Sequence, residues 1–164
     1  DGGLLRASRK KKLTILNDKG RKMTIEGGFT GRINTVDSTL LNTLAGSGFL
    51  PVVSPIALGE EFEFLNVDGD RAAAYIAAGT GADKVIFLTN VKGLILGGNL
   101  VAHLTLDQAK SIIPKIGFGM EKKVFACTEA IQMGVSEAII GSGYVNDPLS
   151  SALAHNNCTV ISKT

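Results

Sequence analysis

The sequence predicts an α/β layered fold, a three-layer αβα sandwich around a mainly parallel sheet. Three observations carry this expectation. Apolar segments of strand length alternate with segments of helical period through most of the chain. Val85-Ile86-Phe87-Leu88 is apolar at every position, as suits a central strand covered on both faces. Helix starts carry capping residues, and Thr105-Leu106-Asp107-Gln108 reads as a complete capping box.

The elements follow in order. Leu13-Thr14-Ile15-Leu16 and Lys22-Met23-Thr24-Ile25 flank the turn-forming Asn17-Asp18-Lys19-Gly20, so a basic β-hairpin is expected within residues 4–32. Asp37-Ser38-Thr39 caps a helix through Leu40, Leu41 and Leu44, which Gly46 and Gly48 end. Phe49-Leu50-Pro51-Val52-Val53 reads as a short apolar strand. A helix of small residues runs from Gly69 to Gly79, ahead of the strand at Val85–Leu88. Leu94-Ile95-Leu96 and Leu100-Val101 form a small hairpin around Gly97-Gly98-Asn99. The capping box starts a helix to Ile113. Met120, Val124, Cys127 and Ile131 recur at spacings of four, three and four, which gives the next helix one buried stripe. Ala138-Ile139-Ile140 is a strand, Pro148 to His155 a helix, and Cys158-Thr159-Val160-Ile161 the last strand.

Composition narrows the function classes. For 164 residues one domain is the default, and 45% apolar with 20% charged residues excludes extensive disorder. No apolar run nears the roughly 18 residues of a membrane-spanning helix. Cys127 and Cys158 lie outside any Cys-x-x-Cys pair, so a zinc ribbon and a disulfide scaffold are excluded and a cytoplasmic location is expected. His103 and His155 are isolated and read as structural or surface residues. The chain begins at Asp1 rather than Met, which suggests an excised fragment. Residues 1–32 hold nine Lys/Arg against three Asp/Glu, a net +6, whereas the remainder is −4. Such an arm can steer an anionic partner. With no Trp and two Tyr, the chain is poor in stacking platforms, and nucleic acid is the disfavoured partner.

In α/β folds ligands sit beyond the carboxyl ends of strands, which singles out three loops. In Leu65-Asn66-Val67-Asp68-Gly69-Asp70 the polar residues alternate, so they share one side of an extended stretch; Asp68 or Asp70 also suits a helix N-cap. The calcium-loop pattern is not continued by its glycine and glutamate. Thr89-Asn90-Val91-Lys92-Gly93-Leu94 follows the most apolar strand and suits a nucleotide base or ribose. In Gly117-Phe118-Gly119-Met120-Glu121-Lys122-Lys123 two glycines open a helix. Lysines at that end are electrostatically misplaced unless an anion binds there.

Together these loops resemble the amino acid kinase family, in particular its acetylglutamate kinase-like members. Asn66-Val67-Asp68-Gly69-Asp70 is similar to the family's Asn-x-Asn/Asp-x-Asp segment, Leu88 to Leu94 to its nucleotide loop, and Gly119-Met120-Glu121-Lys122-Lys123-Val124 to its Gly-Met-x-x-Lys-Val segment. Ser142-Gly143 through Asn146-Asp147-Pro148-Leu149-Ser150-Ser151-Ala152-Leu153 resembles the archaeal and thermophilic branch, the [LysW]-aminoadipate/[LysW]-glutamate kinases, whose substrates ride on an acidic carrier protein. Asn90 departs from the pattern where many members have Asp.

The resemblance implies a carbamate kinase-like fold, of which residues 1–164 form the C-terminal, ATP-binding half, with the N-terminal substrate domain lying before Asp1. It implies a MgATP-dependent phosphotransferase that converts a carboxylate to an acyl phosphate in lysine or arginine biosynthesis, with the isolated half expected to be inactive. The implied catalytic residues are Lys123, on the transferring phosphoryl group, and Asp70, orienting it. Asn66 and Asp68 are implied to bind substrate. Thr89, Asn90, Val91, Gly93, Leu94, Ile95, Lys115, Ile116, Gly117, Gly119 and Met120 are implied to line the ATP site. No residue of the chain is expected to ligate a metal directly; ATP and Mg2+ are the implied cofactors. LysW is the implied protein partner, no membrane is expected, and the full-length enzyme is expected to be a homo-oligomer. The alternatives are a stand-alone nucleotide-binding module and a UMP kinase-like member of the same fold.

Overall fold

A strand needs a partner for its backbone, and the pairings sort this chain into two compact units, residues 1–72 and 73–164, where its length alone suggested one domain. The structure is a computed structural model and describes residues 2–17, 20–117 and 119–164.

In the first unit, Leu5–Arg9 (β1) pairs antiparallel with Gly31–Val36 (β4), with a register shift at Arg6/Ala7. Between them, Lys12–Leu16 (β2) and Lys22–Glu26 (β3) form the expected hairpin. The basic segment is therefore two tiers of one ribbon. Its base belongs to a mixed sheet of order β4-β1-β5-β6, in which Ile56–Leu58 (β5) runs parallel to β1 and Phe64–Asn66 (β6) antiparallel to β5. Leu5, Ala7, Ile33, Ala57 and Leu65 are buried between more exposed neighbours and line one face. Gly31 is required there, because a Cβ would lie 2.9 Å from the Cβ of Leu65 and 3.1 Å from that of Ala7.

Helix α1 spans Thr39–Gly46. Its cap comes from Asp37, whose Oδ1 accepts the Thr39 N–H at 3.0 Å, and not from the Ser38 side chain. The strand expected at Phe49–Val53 does not form. Pro51 lacks a donor, and Leu50 and Val52 are 89% and 94% exposed, so nothing pairs with or covers the segment.

Helix α2, Gly69–Thr80, contains the division between the units. The second unit holds Lys84–Thr89 (β7), the ribbon Ile95–Leu96 and Asn99–Leu100 (β8, β9), His103–Thr105 (β10), Leu106–Ile112 (α3) with a 3₁₀ turn at Ile113–Lys115, Met120–Gln132 (α4), Glu137–Ser142 (β11), Pro148–Leu153 (α5) and Thr159–Ser162 (β12). The capping box on α3 is formed in both directions. The sheet has the order β10-β12-β11-β7 and is parallel at β10–β12 and β11–β7 but antiparallel at β11–β12. Strand β7 stands at the end of this sheet, not its centre, and Leu88 is correspondingly 39% exposed.

Side-chain alternation makes the layers. Val85, Phe87, Ala138, Ile140 and Ile161 point to one core with Val124, Cys127 and Ile131 of α4 and with Ala74 and Ala77 of α2. Ile86, Ile139 and Val160 point to the other face, against Ala152 of α5. Helices thus cover both faces, the three-layer arrangement the alternation of elements predicted. Cys127 lies in the α4 stripe, and both cysteines are buried and outside any disulfide.

Candidate functional site

In the first unit the Asn66–Asp70 loop is shaped by sheet and helix together. Its backbone is pinned on both sides: Asn66 N–H donates to Phe29 O at 2.8 Å and Val67 N–H to Pro55 O at 3.1 Å. Asp68 Oδ1 accepts the Arg71 N–H at 3.1 Å, the N-cap arrangement that starts α2. Asp70 follows in the first helical turn, where the dipole favours a carboxylate. Asn66 and Asp68 are exposed and Asp70 half-buried.

These residues border a polar cavity of about 230 Å³. It collects Asn66 and Asp68 together with Lys10 and Arg71, which the sequence analysis did not include among the site residues. Arg71 adjoins the Asn66–Asp70 segment directly, and that adjacency was the available signal. Lys10 was read only as part of the arm.

The arm faces charges of its own. Arg9, Lys10, Lys11 and Lys12 border a second cavity of about 760 Å³ with Glu26, Glu60, Glu61 and Glu63. Arg9 is further engaged, its guanidinium 4.6 Å from the Phe29 ring centroid and its Nε donating to Gly28 O.

In the second unit the residues of the loop the resemblance implied for nucleotide follow β7. Thr89 Oγ1 donates to Asn90 Oδ1 at 3.3 Å, Thr89 O accepts the Gly143 N–H at 2.8 Å, and Thr89 and Ser142 are partners in the parallel ladder. The loop after β11 therefore lies beside the loop after β7, a neighbour the site expectation left out. Val91 is half-buried, while Asn90 and Ile95 are exposed. Leu94 differs from the expectation: its side chain is 1% exposed and belongs to the core, so only its backbone can border a ligand. Gly93 passes so close to β12 that a Cβ would sit 2.5 Å from Thr159 Oγ1 and 2.9 Å from Thr159 N.

At the third loop, Gly119 is the N-cap of α4 at φ 93°, a conformation that suits glycine, and no side chain caps the helix. Glu121 and Lys123 N–H reach back to Gly117 O and Gly119 O at 3.3 and 3.4 Å. Lys122 is exposed and Lys123 half-buried, both in the first turn. Ile116 and Met120 pack on the core, and Lys115 and Gly117 are exposed. Phe118 lies outside the described residues. Among the described residues no group of three or more His, Cys, Asp or Glu is placed to hold a metal ion, and no helix is long and apolar enough to cross a membrane.

A glycine-headed helix with lysines in its first turn and a loop beyond a parallel strand are general anion and ligand features. The model of the amino acid kinase family matches residues 4–142. The chain belongs to the amino acid kinase family.

Relatives refine this. The chain is 59% identical over 161 residues to a protein of Cenarchaeum symbiosum (strain A) provisionally named [LysW]-aminoadipate/[LysW]-glutamate kinase, covering 98% of this chain and 60% of the relative. It is 41% identical over 162 residues to the [LysW]-aminoadipate/[LysW]-glutamate kinase of Saccharolobus islandicus (strain L.S.2.15 / Lassen #1), covering 98% of this chain and 61% of the relative. The chain thus spans about 60% of the length of the curated relatives it matches. Among solved structures, N-acetylglutamate synthase from Neisseria gonorrhoeae, complexed with coenzyme A and L-arginine, superposes with a TM-score of 0.82 at 22% identity, over 99% of this chain and 37% of that one. Carbamate kinase from Giardia lamblia bound to AMP-PNP gives 0.65 at 19%, over 93% and 52%. These likenesses establish the amino acid kinase fold.

Proposed function

We propose that the chain is the nucleotide-binding and part of the acceptor-binding portion of a MgATP-dependent kinase acting on a carboxylate of carrier-linked aminoadipate or glutamate. The observation that carries this reading is the 41% identity, over 98% of the chain, to the Saccharolobus kinase of that name. A carboxylate oxygen attacks the γ-phosphorus, the bond to the β-phosphate oxygen breaks, and the products are an acyl phosphate and ADP. Positioning and charge stabilisation dominate such a transfer.

Each residue has a role in this reading. Lys123 neutralises charge on the moving phosphoryl group, assisted by the uncapped N–H groups at Gly119 and Met120. The resemblance assigns Asp70 an orienting role in the same transfer. Asn66 and Asp68 border the acceptor. Thr89, Asn90, Val91, Gly93 and Ile95, the Leu94 backbone, and Lys115 to Gly117 border adenine and ribose. Mg2+ supplies charge neutralisation when bound, and it fits this donor set as an ion carried in on the nucleotide's phosphates. The acidic carrier approaches along the basic arm.

The test is direct. The complete gene product is incubated with MgATP, hydroxylamine and either carrier-linked glutamate or N-acetylglutamate, and hydroxamate is measured. Product with the carrier-linked acceptor is expected. Product with N-acetylglutamate alone would make the protein an acetylglutamate kinase, and none with either would overturn the reading.

A further inference from the structure

Strands β7 and β11 are parallel neighbours, and the helices that follow them go to opposite faces of the sheet. After β7 the chain builds α3 and α4, whose Ala109, Val124 and Cys127 pack with Val85 and Phe87. After β11 it builds α5, whose Ala152 packs with Ile86 and Ile139. Ligands of open α/β sheets bind where neighbouring connections part in this way, in the crevice beyond the carboxyl ends of the strands. Here that place lies between residues 89–91 on one side and residues 143–146 on the other. Gly143 N–H, donating to Thr89 O at 2.8 Å, ties the two loops together at their base.

The second of these loops has the chemistry of a base site. Gly143, Tyr144, Val145 and Asn146 carry no charge, so they are unsuited to phosphate. The Tyr144 side chain is 84% exposed, and its backbone is fixed by its N–H, which donates to Ser142 Oγ at 3.2 Å. A ring so exposed at a ligand crevice is available to stack on a planar group. Asn146, also exposed, brings an amide that both donates and accepts, the pattern a base edge requires. The cations suited to phosphate, Lys122 and Lys123, stand elsewhere, in the first turn of α4. We infer that the nucleobase lies between these two loops and stacks on Tyr144. The inference deepens the proposed function and rests on it only in taking the ligand to be a nucleotide.

Calorimetry on the complete gene product tests it, with MgATP as one probe and magnesium tripolyphosphate as its base-free counterpart. Tyr144→Ala is expected to weaken MgATP by about five- to hundredfold, the usual worth of one stacked ring, and to leave tripolyphosphate unchanged. Tyr144→Phe should bind MgATP as the wild type does. Unchanged MgATP affinity in Tyr144→Ala would overturn the inference. So would equal losses for the two probes, which would make Tyr144 a support of the loop rather than of the base. A loss in Tyr144→Phe as large as in Tyr144→Ala would transfer the contact from the ring to its hydroxyl and overturn the stacking. Hydroxamate formation is scored separately. A base-dependent loss without hydroxamate from either acceptor removes the kinase reading and leaves the base site standing, whereas hydroxamate with normal MgATP binding by Tyr144→Ala removes only the base site.

Discussion

Thr159 Oγ1 accepts the Leu94 backbone N–H at 2.8 Å and donates to Val101 O at 2.7 Å, so one hydroxyl on β12 fixes both ends of the segment that follows the nucleotide loop. Thr159 is fully buried, and its partners lie 65 and 58 residues away in sequence. Thr159→Val keeps the shape and leaves two buried groups unpaired, at a cost of about 1–3 kcal/mol for each group so exposed. Chemical denaturation should show a loss of about 2–6 kcal/mol for the two groups together, and ATP affinity should fall while N-acetylglutamate affinity holds.

Gly93→Ala makes the complementary test. Its Cβ would meet backbone and hydroxyl of Thr159 inside van der Waals distance, so the loop must shift. Overpacking of this kind costs about 1–3 kcal/mol. A melting temperature unchanged from the wild type would show that the contact at Thr159 is loose.

Glu137 links strand starts at the opposite end of the sheet. Its carboxylate pairs with Lys84 Nζ and lies 3.0 Å from His155 Nε2. The hydrogen bond from Lys84, aided by that from His155, holds its carboxyl below the ordinary glutamate range against the opposing effect of burial. A carboxylate with a depressed folded pKa stabilises the fold above its unfolded value and loses that contribution as pH falls through the folded one. Glu137→Gln should therefore be less stable than wild type at neutral pH, with the gap closing as pH drops below 4.5. A gap independent of pH would refer the effect to packing.

Lys123→Ala in the complete gene product should lower turnover by about 10²–10³, the usual cost of removing one charge-stabilising group. Asp70→Asn should lower it as well. If Asp70 works through Lys123, the double variant should be little worse than Lys123→Ala alone, and additive losses would separate the two.

The arm is expected to steer the carrier, and the glutamates that share its cavity oppose that attraction. Reversing Lys10, Lys11 and Lys12 to Glu should slow carrier association and flatten its salt dependence. Changing Glu60, Glu61 and Glu63 to Gln should speed association at low salt, since those residues border the same cavity. Stopped-flow rates unaffected by either set would leave the arm without a role in recruitment.

The helices α1 to α5 and the strands β7, β11 and β12 were legible in the sequence because local signals decide them: the Thr105–Gln108 capping box, the Val124–Cys127–Ile131 stripe and apolar runs of strand length. Strands β1, β4, β5 and β10 were not, because short segments such as Ile56–Leu58 become strands only through partners distant in sequence. The same reason misled at Phe49–Val53, which has strand composition and no partner.

By itself the sequence determined the layered α/β class and the family, since these follow from periodicity and short motifs. Tertiary structure alone decided that β7 ends its sheet, that Leu94 is core, that Thr159 holds the loop after β7, and that Lys10 and Arg71 join Asn66 at one cavity. Those relations depend on how distant segments pair, and pairing is settled by burial summed over the whole sheet, which no local stretch encodes.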